Sequence, residues 1–382
     1  MGRTLVITND FPPRPGGIQT FGYEIVRRFD PDSVTVLTSD WEGAAEFDAA
    51  QDFKIIRANT KTLLPSRSTL TMAREIVVAE NITRVLFGAA APLGLLASSL
   101  RKLGVKNIVG MTQGHETGWA MTPGTRQALR KIANDTDYLT YISEYTHKKI
   151  AKALTPQAAA RMRRIVPGVN VTKFSPANLG SGNQLRAELG WTDRPVIVCV
   201  SRLMARKGQD ELIRALPEVH RNSPMASLII VGEGPFRKDL ERLTKKFALE
   251  DFVHLTGKVS QSDLPKWYAA GDIFAMPCRT RMSGWDVEGL GIVFLEGSAT
   301  GLPVVVGDSG GAIDAVLDGE TGYLVDGTNT NEIAHRISFL ISNPDVARKM
   351  GKTGRNWISQ EWTWDQNFKK LDGLLSGLDF AD

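Results

Sequence analysis

The sequence predicts an α/β protein with two doubly wound parallel sheets. Short runs rich in valine, isoleucine and leucine recur along the chain, and each run is followed by glycine or polar residues and then by a helix-length segment. This series starts afresh near residue 195, and 382 residues are enough for two domains of roughly 100–200 residues each. We therefore expect two such domains on either side of a cleft.

Thirteen strands are expected, and both domains are expected to be Rossmann-like. Seven lie in the first half, at residues 4–8, 33–38, 53–57, 84–88, 107–111, 138–142 and 164–166. Six lie in the second half, at residues 195–200, 227–231, 252–255, 272–276, 303–306 and 322–325. Residues 167–176 are bounded by prolines and lack a helical period, which is typical of a linker. We expect domains over residues 1–169 and 170–359, with residues 360–382 packing back on the first domain.

The composition is that of an ordinary globular protein, with 42% apolar and 23% charged residues. No run approaches the roughly 18 apolar residues that a membrane-spanning helix needs, and the N-terminal residues are more typical of a strand than of a signal peptide. Cys199 and Cys278 lie in apolar, strand-like segments, which favours reduced thiols in the core. These features predict a cytoplasmic protein.

Positive charge is concentrated in the first half of the chain. Residues 1–170 contain 22 Lys and Arg against 15 Asp and Glu (+7), whereas residues 171–382 contain 24 against 27 (−3). A basic half suits an anionic partner such as lipid headgroups or nucleic acid, and a scattered solvated surface is the alternative. Residues 57–74 mix cations with leucines, so they either dip into an anionic membrane interface or form an ordinary loop.

Two segments of the first half have features of a ligand site. Gly16 and Gly17 precede an expected helix over residues 18–29, so the backbone there can approach a phosphate; a tight structural turn is the alternative. His115 follows the fifth strand, at the sheet edge where doubly wound proteins bind ligands. The first turn lacks G-x-G-x-x-G, and the chain contains no Walker A sequence, which disfavours dinucleotide-binding and NTPase functions.

Cations follow the strands of the second half. Arg202 and Lys207 come directly after its first strand, and two cations at one sheet edge suit a diphosphate; charged decoration of a helix start is the alternative. Lys258 and Val259 follow the third strand, where backbone groups can meet the edge of a base.

Two carboxylates flank a glycine-rich turn. Glu288 precedes Gly289, Leu290 and Gly291, and Glu296 lies eight residues further on, within a helix expected to start near Gly291. A helix N-terminus carries partial positive charge, so backbone N–H groups beside Glu288 can receive a phosphate or sugar oxygen. Solvated glutamates in a plain βαβ unit are the alternative.

Other motifs are less specific. Residues 279–285 form an unusually long loop, whose Arg279, Arg281 and Trp285 are candidates to close over a substrate. Asp135 and Asp137 form a D-x-D sequence, but they precede a strand and so lie at the wrong end of the sheet for a metal site. We expect a solvated turn there and no bound metal.

The glycine turn, the two cations after residue 200 and the pair Glu288-x7-Glu296 together resemble the motifs of retaining glycosyltransferases of the GT-B fold, family 4. The likeness extends over essentially the whole chain. It is strongest with the actinobacterial phosphatidyl-myo-inositol mannosyltransferases, in particular those that add the second mannose. The long loop before Glu288 departs from their pattern.

The resemblance implies donor-binding roles. Arg202 and Lys207 hold the donor diphosphate and neutralise the charge that develops on it. Glu296 accepts hydrogen bonds from the ribose, and the backbone of Lys258 and Val259 lies against the base.

The resemblance also assigns the sugar and the phosphates. Glu288 and the N–H groups of the following turn hold the donor sugar, while Gly16 and Gly17 approach the phosphates. His115 contacts the sugar and stabilises an oxocarbenium-like transition state. The N–H groups of the turn belong to four consecutive residues, Gly289, Leu290, Gly291 and Ile292.

For the acceptor, the resemblance places Asp10, Gln19 and Arg206 against polyol hydroxyls or a lipid phosphate. It implies transfer of mannose from GDP-mannose to a phosphatidylinositol mannoside, by a front-face route with no metal and no cofactor. The protein would then be a monomer that associates peripherally with the inner face of the plasma membrane and binds no nucleic acid.

Other functions remain open from the residues alone. The same motifs suit a transferase with another nucleotide-sugar donor and a soluble or polysaccharide acceptor. They also suit a nucleotide-sugar epimerase or a phosphorylase. A non-catalytic protein that binds nucleotide sugars or lipids is the alternative from a different class.

Overall fold

The computed structural model describes residues 2–380, and these form two compact units. The first unit contains the residues up to Pro167 together with those from Trp364 onward, and the second unit is Gly168–Thr363. The sequence analysis places the two divisions after residues 169 and 359.

The first unit alternates strands and helices along the chain. Its elements are β1 Arg3–Thr8, α1 Gly17–Val26, β2 Val34–Ser39, α2 Ala44–Ala49, β3 Lys54–Ala58, α3 Arg67–Ala79, β4 Ile82–Phe87, α4 Ala97–Arg101, β5 Asn107–Met111, α5 Glu116–Met121, α6 Pro123–Asp135, β6 Tyr138–Tyr141, α7 Glu144–Ala151, α8 Pro156–Ala159 and β7 Met162–Arg164.

The second unit repeats this alternation. Its elements are α9 Leu179–Glu188, β8 Val196–Val200, α10 Gln209–Val219, β9 Ser227–Val231, α11 Arg237–Lys246, β10 Val253–Gly257, α12 Leu264–Ala269, β11 Ile273–Met276, α13 Ile292–Thr300, β12 Val304–Gly307, β13 Gly322–Val325, α14 Thr330–Ser342 and α15 Pro344–Glu361. The last helix, α16 Trp364–Leu375, belongs to the first unit.

Both sheets are parallel and doubly wound. The first has the order β3-β2-β1-β4-β5-β6-β7, and the second has the order β10-β9-β8-β11-β12-β13. Within the first sheet, Ile7 of β1 pairs with Leu37 on one side and with Phe87 on the other. The strand order reverses beside β1 and beside β8, and such switch points open a crevice at the carboxyl ends of the strands. The predicted fold class is confirmed.

Each of the thirteen expected strands overlaps an observed one, and β7 shows the largest shift. The predicted segment covered residues 164–166, whereas the strand is Met162–Arg164. Ile165 and Val166 are buried, so they have the apolar character of a strand. However, the backbone N–H of Val166 donates to the side chain of Asn367 in α16, which takes the chain out of the sheet.

The helix expected over residues 18–29 is shorter than predicted. The observed α1 ends at Val26, and residues 27–29 continue as turns whose N–H groups bond to Tyr23, Ile25 and Val26. Phe29 looks helical in the sequence because it is buried, but it packs edge-on against Phe368 of α16.

The C-terminal tryptophans pack within the two units separately. Trp357 and Trp362 form an edge-to-face pair in the second unit. Trp364 begins α16 and contacts Phe21 in the first unit, where Arg84 also pairs with Asp372 of that helix at 2.9 Å. None of the helices among residues 2–380 has the length and hydrophobicity needed to cross a membrane.

Candidate active site

The glycine turn of the first unit lies at the N-terminus of α1, as predicted. Gly16 caps the helix with φ +152°, a conformation that side-chain-bearing residues rarely adopt. A Cβ at Gly16 would lie 2.1 Å from Oε1 of Gln19, whereas a Cβ at Gly17 would meet nothing within 4 Å. The close approach that demands glycine is therefore at the first position of the pair.

Two of the predicted acceptor-binding residues contact each other. Nε2 of Gln19 donates to Oδ1 of Asp10 at 2.6 Å, and Gln19 is buried. Asp10 follows β1, where Thr8 Oγ1 accepts from its backbone N–H at 3.0 Å. The amide of Gln19 therefore orients the carboxylate of Asp10 at the carboxyl edge of the sheet. The pairing leaves Asp10 as the half-buried, more accessible member of the two.

His115 is exposed and has a buried neighbour that the sequence analysis did not single out. It lies at the N-cap of α5, and its Nε2 is 3.2 Å from Oε1 of Glu116. Glu116 is fully buried, and its other oxygen accepts from the backbone N–H of Gln113 at 2.9 Å. Burial raises the pKa of Glu116, while the positive charge that His115 can carry opposes the shift. In the sequence, the only indication of Glu116 was its position next to His115.

Residues 57–74 were expected either to dip into an anionic membrane interface or to form an ordinary loop, and Arg57 does not fit the membrane interface. Its side chain is only 10% exposed and forms a bidentate ion pair with Asp48, with N···O distances of 2.7 and 2.8 Å. It also donates to the carbonyl oxygens of Ser39 and Pro12. Arg57 therefore fastens β3 to its neighbours and cannot meet lipid phosphate.

The leucines of the same stretch also differ from the expectation. Leu63 is buried in the core of the first unit, and Leu70 packs against that core from α3, which starts at Arg67. Leu64 alone among the leucines of this stretch is well exposed, at 58%. The loop that can reach a surface is thus limited to residues 59–66.

In the second unit, Lys207 and Glu288 form a buried ion pair. Nζ of Lys207 lies 2.5 Å from Oε2 of Glu288, and both residues are more than nine-tenths buried. Lys207 ends the short turn after β8, and Glu288 lies in the loop after β11, so the two neighbouring strands at the switch point bring them together. The backbone N–H of Glu288 donates to Ser309 Oγ at 3.3 Å, which helps to fix the carboxylate.

Arg202 and Arg206 lie on the same loop as Lys207. Arg202 is exposed, and its carbonyl oxygen accepts from the buried amide of Gln209, which also bonds to Ser201 at 2.8 Å. Nε of Arg206 is buried without a hydrogen-bond partner among the described residues, and it lies 3.6 Å from Asp286. Gln209, which the sequence analysis missed, therefore shapes the loop that presents both arginines.

The glycine-rich turn leads into α13 as predicted. Gly291 is its N-cap with φ +80°, and a Cβ there would lie 2.6 Å from the ring of Phe294, so only glycine fits. Leu290 is buried, while Gly289 and Ile292 are half-buried. The first N–H groups of α13 thus follow Glu288 directly at the positive end of the helix.

Glu296 has a buried partner of its own. The hydroxyl of Tyr268 in α12 donates to its Oε2 at 2.6 Å, and Tyr268 is fully buried. Burial of the carboxyl group raises the pKa of Glu296 to about 7, and the hydrogen bond from Tyr268 opposes the shift, although part of the residue's surface remains exposed. Tyr268 was not predicted, because only packing brings it to Glu296 from 28 residues away.

The remaining candidates divide between exposed and anchored residues. Lys258 is exposed and Val259 half-buried just after β10, which leaves their backbone at the carboxyl edge of the sheet. Arg279 does not project over the site, because it is paired with Asp210 at 2.9 Å and with Glu211 at 3.5 Å. That expectation was wrong: the side chain pins the root of its loop to the start of α10.

The cysteines are buried, and the D-x-D aspartates are paired with cations. Cys199 and Cys278 are free and fully buried, as expected, and burial raises the pKa of Cys199 to about 12. Asp135 and Asp137 pair with Lys131 and Arg101 at the turn before β6. Within residues 2–380, no three histidine, cysteine or acidic side chains come together as a group able to hold a metal ion.

Sequence comparison relates the chain to known transferases over its full length. The family described as "Glycosyl transferases group 1" matches residues 182–357. A GDP-mannose-dependent alpha-(1-6)-phosphatidylinositol monomannoside mannosyltransferase of Mycolicibacterium smegmatis is 44% identical over 380 residues, which is 98% of each chain. The protein of the same description from Mycobacterium tuberculosis H37Rv is 42% identical over 387 residues, covering all of both chains.

Comparison of structures gives the same fold. A glycosyltransferase from Rickettsia africae superimposes with a TM-score of 0.83 at 18% sequence identity, covering 98% of each chain. At that identity the likeness supports the two-sheet architecture alone.

Proposed function

The chain belongs to the glycosyltransferase family of the phosphatidylinositol mannosyltransferases, and from this we propose that it transfers mannose from GDP-mannose to a phosphatidylinositol mannoside. One observation carries the proposal: two relatives described by that activity match the chain end to end at 42–44% identity. The buried pair of Lys207 and Glu288 and the N-terminus of α13 supply the charged groups and N–H donors that a nucleotide-sugar site requires.

The donor's nucleotide binds to the second unit in this proposal. Arg202 and Lys207 hold the diphosphate, and Glu296 accepts hydrogen bonds from the ribose hydroxyls. The backbone of Lys258 and Val259 contacts the base. These roles are supported by the position of all five residues in segments that follow the carboxyl ends of strands or form α13.

The transfer step retains the configuration at the anomeric carbon. The bond from mannose to the β-phosphate breaks, the acceptor hydroxyl forms its new bond on the same face, and the leaving phosphate oxygen takes the hydroxyl proton. Glu288 and the N–H groups of the turn after it hold the sugar, and His115 stabilises positive charge on it. Arg202 and Lys207 neutralise the leaving diphosphate, so the proposal requires neither a metal nor a cofactor.

The direct test is incubation of the protein with labelled GDP-mannose and a membrane lipid extract, followed by identification of the labelled lipid. We expect label in a phosphatidylinositol dimannoside, with activity unchanged by a chelator. His115→Ala and Glu288→Ala should each lower turnover at least about 100-fold, since each removes a group that acts in the transition state. Full turnover in both variants would contradict the catalytic assignments.

A transferase with a different donor is the runner-up. The structural likeness does not discriminate between donors, so binding must. Thermal-shift titrations with GDP and UDP separate the two functions, because a ligand stabilises the folded protein in proportion to the logarithm of its excess over Kd. Stabilisation by GDP alone supports the mannosyltransferase, whereas stabilisation by UDP alone supports the alternative. Analysis of the products without acceptor would show an epimerase directly, as conversion of the nucleotide sugar to its epimer.

Membrane association at the inner leaflet, by a monomer, is part of the same proposal. It is supported by the basic first half of the chain and by the exposed loop at Leu64, flanked by Lys61 and Arg67. Replacing Lys61 and Arg67 with Gln should lower binding to anionic vesicles by about 30-fold, at roughly 1 kcal/mol for each of the two cations near the surface. Undiminished binding would argue against this loop. Light scattering in the absence of lipid checks the monomer.

A further inference from the structure

The loop after β11 contains a small hairpin with an apolar tip, residues 279–286. The N–H of Arg281 donates to the carbonyl oxygen of Asp286 at 2.9 Å, and the N–H of Asp286 returns a bond at 3.3 Å. Between them, Met282 is 72% exposed and Trp285 is 61% exposed. These are the two most exposed large apolar side chains of the second unit within the described residues.

The backbone of this tip is strained. Met282 and Ser283 have φ values of +49° and +53°, which cost non-glycine residues free energy, and Gly284 follows at +93°. An exposed tip has no core contacts that would explain this strain. The conformation leaves a methionine and a tryptophan exposed on the same short tip.

The root of the hairpin is rigid and joined to the proposed site. Arg279 is fixed to Asp210 and Glu211, and its backbone N–H donates to the carbonyl oxygen of Arg206 at 2.8 Å. Thr280 Oγ1 lies 3.2 Å from Oγ of Ser309, the residue that also accepts from Glu288. The tip therefore projects from a root that is held in place by ion pairs and hydrogen bonds.

Beside the tip, two arginines face one carboxylate. Arg206 and Arg281 share a single carboxylate, Asp286, at 3.6 and 3.7 Å. Both distances exceed hydrogen-bond length, so neither guanidinium is saturated by this contact. Tryptophan and methionine at a tip, with arginines behind them, match the layered chemistry of a bilayer surface, where hydrocarbon lies beneath anionic phosphate.

We propose that Met282 and Trp285 insert into the surface of an anionic lipid bilayer, with Arg281, whose side chain is 45% exposed, near its phosphates. The second unit then has its own membrane contact, additional to the Leu64 loop of the first. The inference rests on the proposed function only in that the acceptor is a membrane lipid.

The test uses the full-length protein and acceptor-free vesicles of phosphatidylcholine with phosphatidylglycerol. Met282→Ser with Trp285→Ser should weaken vesicle binding about tenfold or more, because two large apolar side chains no longer leave water. Met225→Ser is the matched control, since Met225 is 48% exposed in the turn before β9, at the opposite edge of the sheet. Trp285 was a candidate to close over a substrate; if it contacts the bilayer instead, GDP binding and transfer to a deacylated acceptor in solution should stay unchanged in both variants.

A second measurement locates the tip. Because Cys199 and Cys278 are fully buried, a polarity-sensitive thiol dye should label Ser283→Cys selectively, and Met225→Cys serves as the control site. On vesicle addition, the dye at position 283 should shift to shorter emission wavelengths, and the dye at 225 should not.

Unchanged vesicle binding of the double variant and no shift at 283 would overturn the proposal. So would a loss seen only as a higher KM for the acylated acceptor, which would indicate contact with the acceptor's own chain. If the wild-type protein does not bind GDP, or does not transfer mannose to the soluble acceptor, the proposed function is refuted instead.

Discussion

Lys207→Met should destabilise the second unit strongly. Lys207 Nζ is 2.5 Å from Glu288 Oε2, and the two side chains are only 11% and 9% exposed. The substitution leaves the carboxylate of Glu288 buried without its cation, close enough to the thiol of Cys278 that its charge helps to raise the pKa of that group. Water therefore cannot replace the lost partner without disturbing the core.

The expected loss can be given an approximate size. Removing one partner of a buried ion pair typically costs about 3–5 kcal/mol, and the slight exposure of this pair favours the lower end. For a unit of this size, each kcal/mol lowers Tm by about 2–4 °C, so a loss of about 3 kcal/mol corresponds to a decrease of about 6–12 °C. The substitution also removes a diphosphate contact, so GDP should bind more weakly.

A double-mutant cycle isolates the pair. Unfolding free energies are measured calorimetrically for Lys207→Met, Glu288→Gln and the double variant. Glu288→Gln should cost less than Lys207→Met, because the amide oxygen still accepts from the lysine. The double variant should be more stable than the sum of the single losses predicts, since no buried charge is left unpaired. Losses that add within about 0.5 kcal/mol would refute the reasoning.

An exposed pair in the same unit supplies the control. Arg242 and Asp239 form a contact on α11, with side chains 77% and 47% exposed. Arg242→Met should cost less than about 1 kcal/mol, because surface ion pairs contribute little. If Arg242→Met lowered the unfolding free energy as much as Lys207→Met, burial would not determine how much an ion pair contributes to stability.

Three further predictions concern the acid at position 296 and the glycine turn. Because burial raises the pKa of Glu296 to about 7, kcat/KM for the donor should rise as pH increases through about 7, where the carboxyl loses its proton and becomes a full acceptor for the ribose. Tyr268→Phe removes the hydrogen bond that lowers this pKa, so the rise in kcat/KM should move to higher pH. An identical pH profile in this variant would contradict the assignment. The raised pKa also makes the folded state bind more protons, so the contribution of Glu296 to stability should fall between about pH 4.5 and 7, as measured by denaturant unfolding. Gly16→Ala should destabilise the first unit by about 1–3 kcal/mol because of its φ and its contact with Gln19, whereas Gly17→Ala should be nearly neutral in thermal unfolding.

Much of the fold could be predicted because parallel strands buried on both faces leave an unmistakable pattern. Val196–Val200 and Val304–Gly307 are fully buried, and their sequences are almost unbroken runs of valine, isoleucine and cysteine or glycine. The start of α13 was equally accessible, because Gly291 must adopt a conformation that other residues avoid. The end of β7 was not, because the departure of the chain depends on a side chain of α16, 201 residues away.

The site was predictable in its residue types and not in its pairings. The sequence places a lysine after β8 and a glutamate after β11, but the contact between them spans 81 residues and depends on the neighbouring positions of the two strands. Arg57 and Arg279 look like free surface cations in the sequence. Their partners come from helices elsewhere in each unit, and only packing reveals them.

These pairings change how the charge of the second unit must be understood. Lys207 is neutralised by Glu288, and Arg279 is more than neutralised by Asp210 and Glu211, so neither contributes a free positive charge at long range. In the proposed site, attraction of a diphosphate would therefore depend chiefly on the exposed Arg202 and on the N–H groups at the start of α13. Lys207 then acts at short range, as a donor held in place by the same carboxylate that the proposed mechanism assigns to the sugar. A group fixed in this way needs little rearrangement when charge develops, which is what electrostatic stabilisation of a transition state requires.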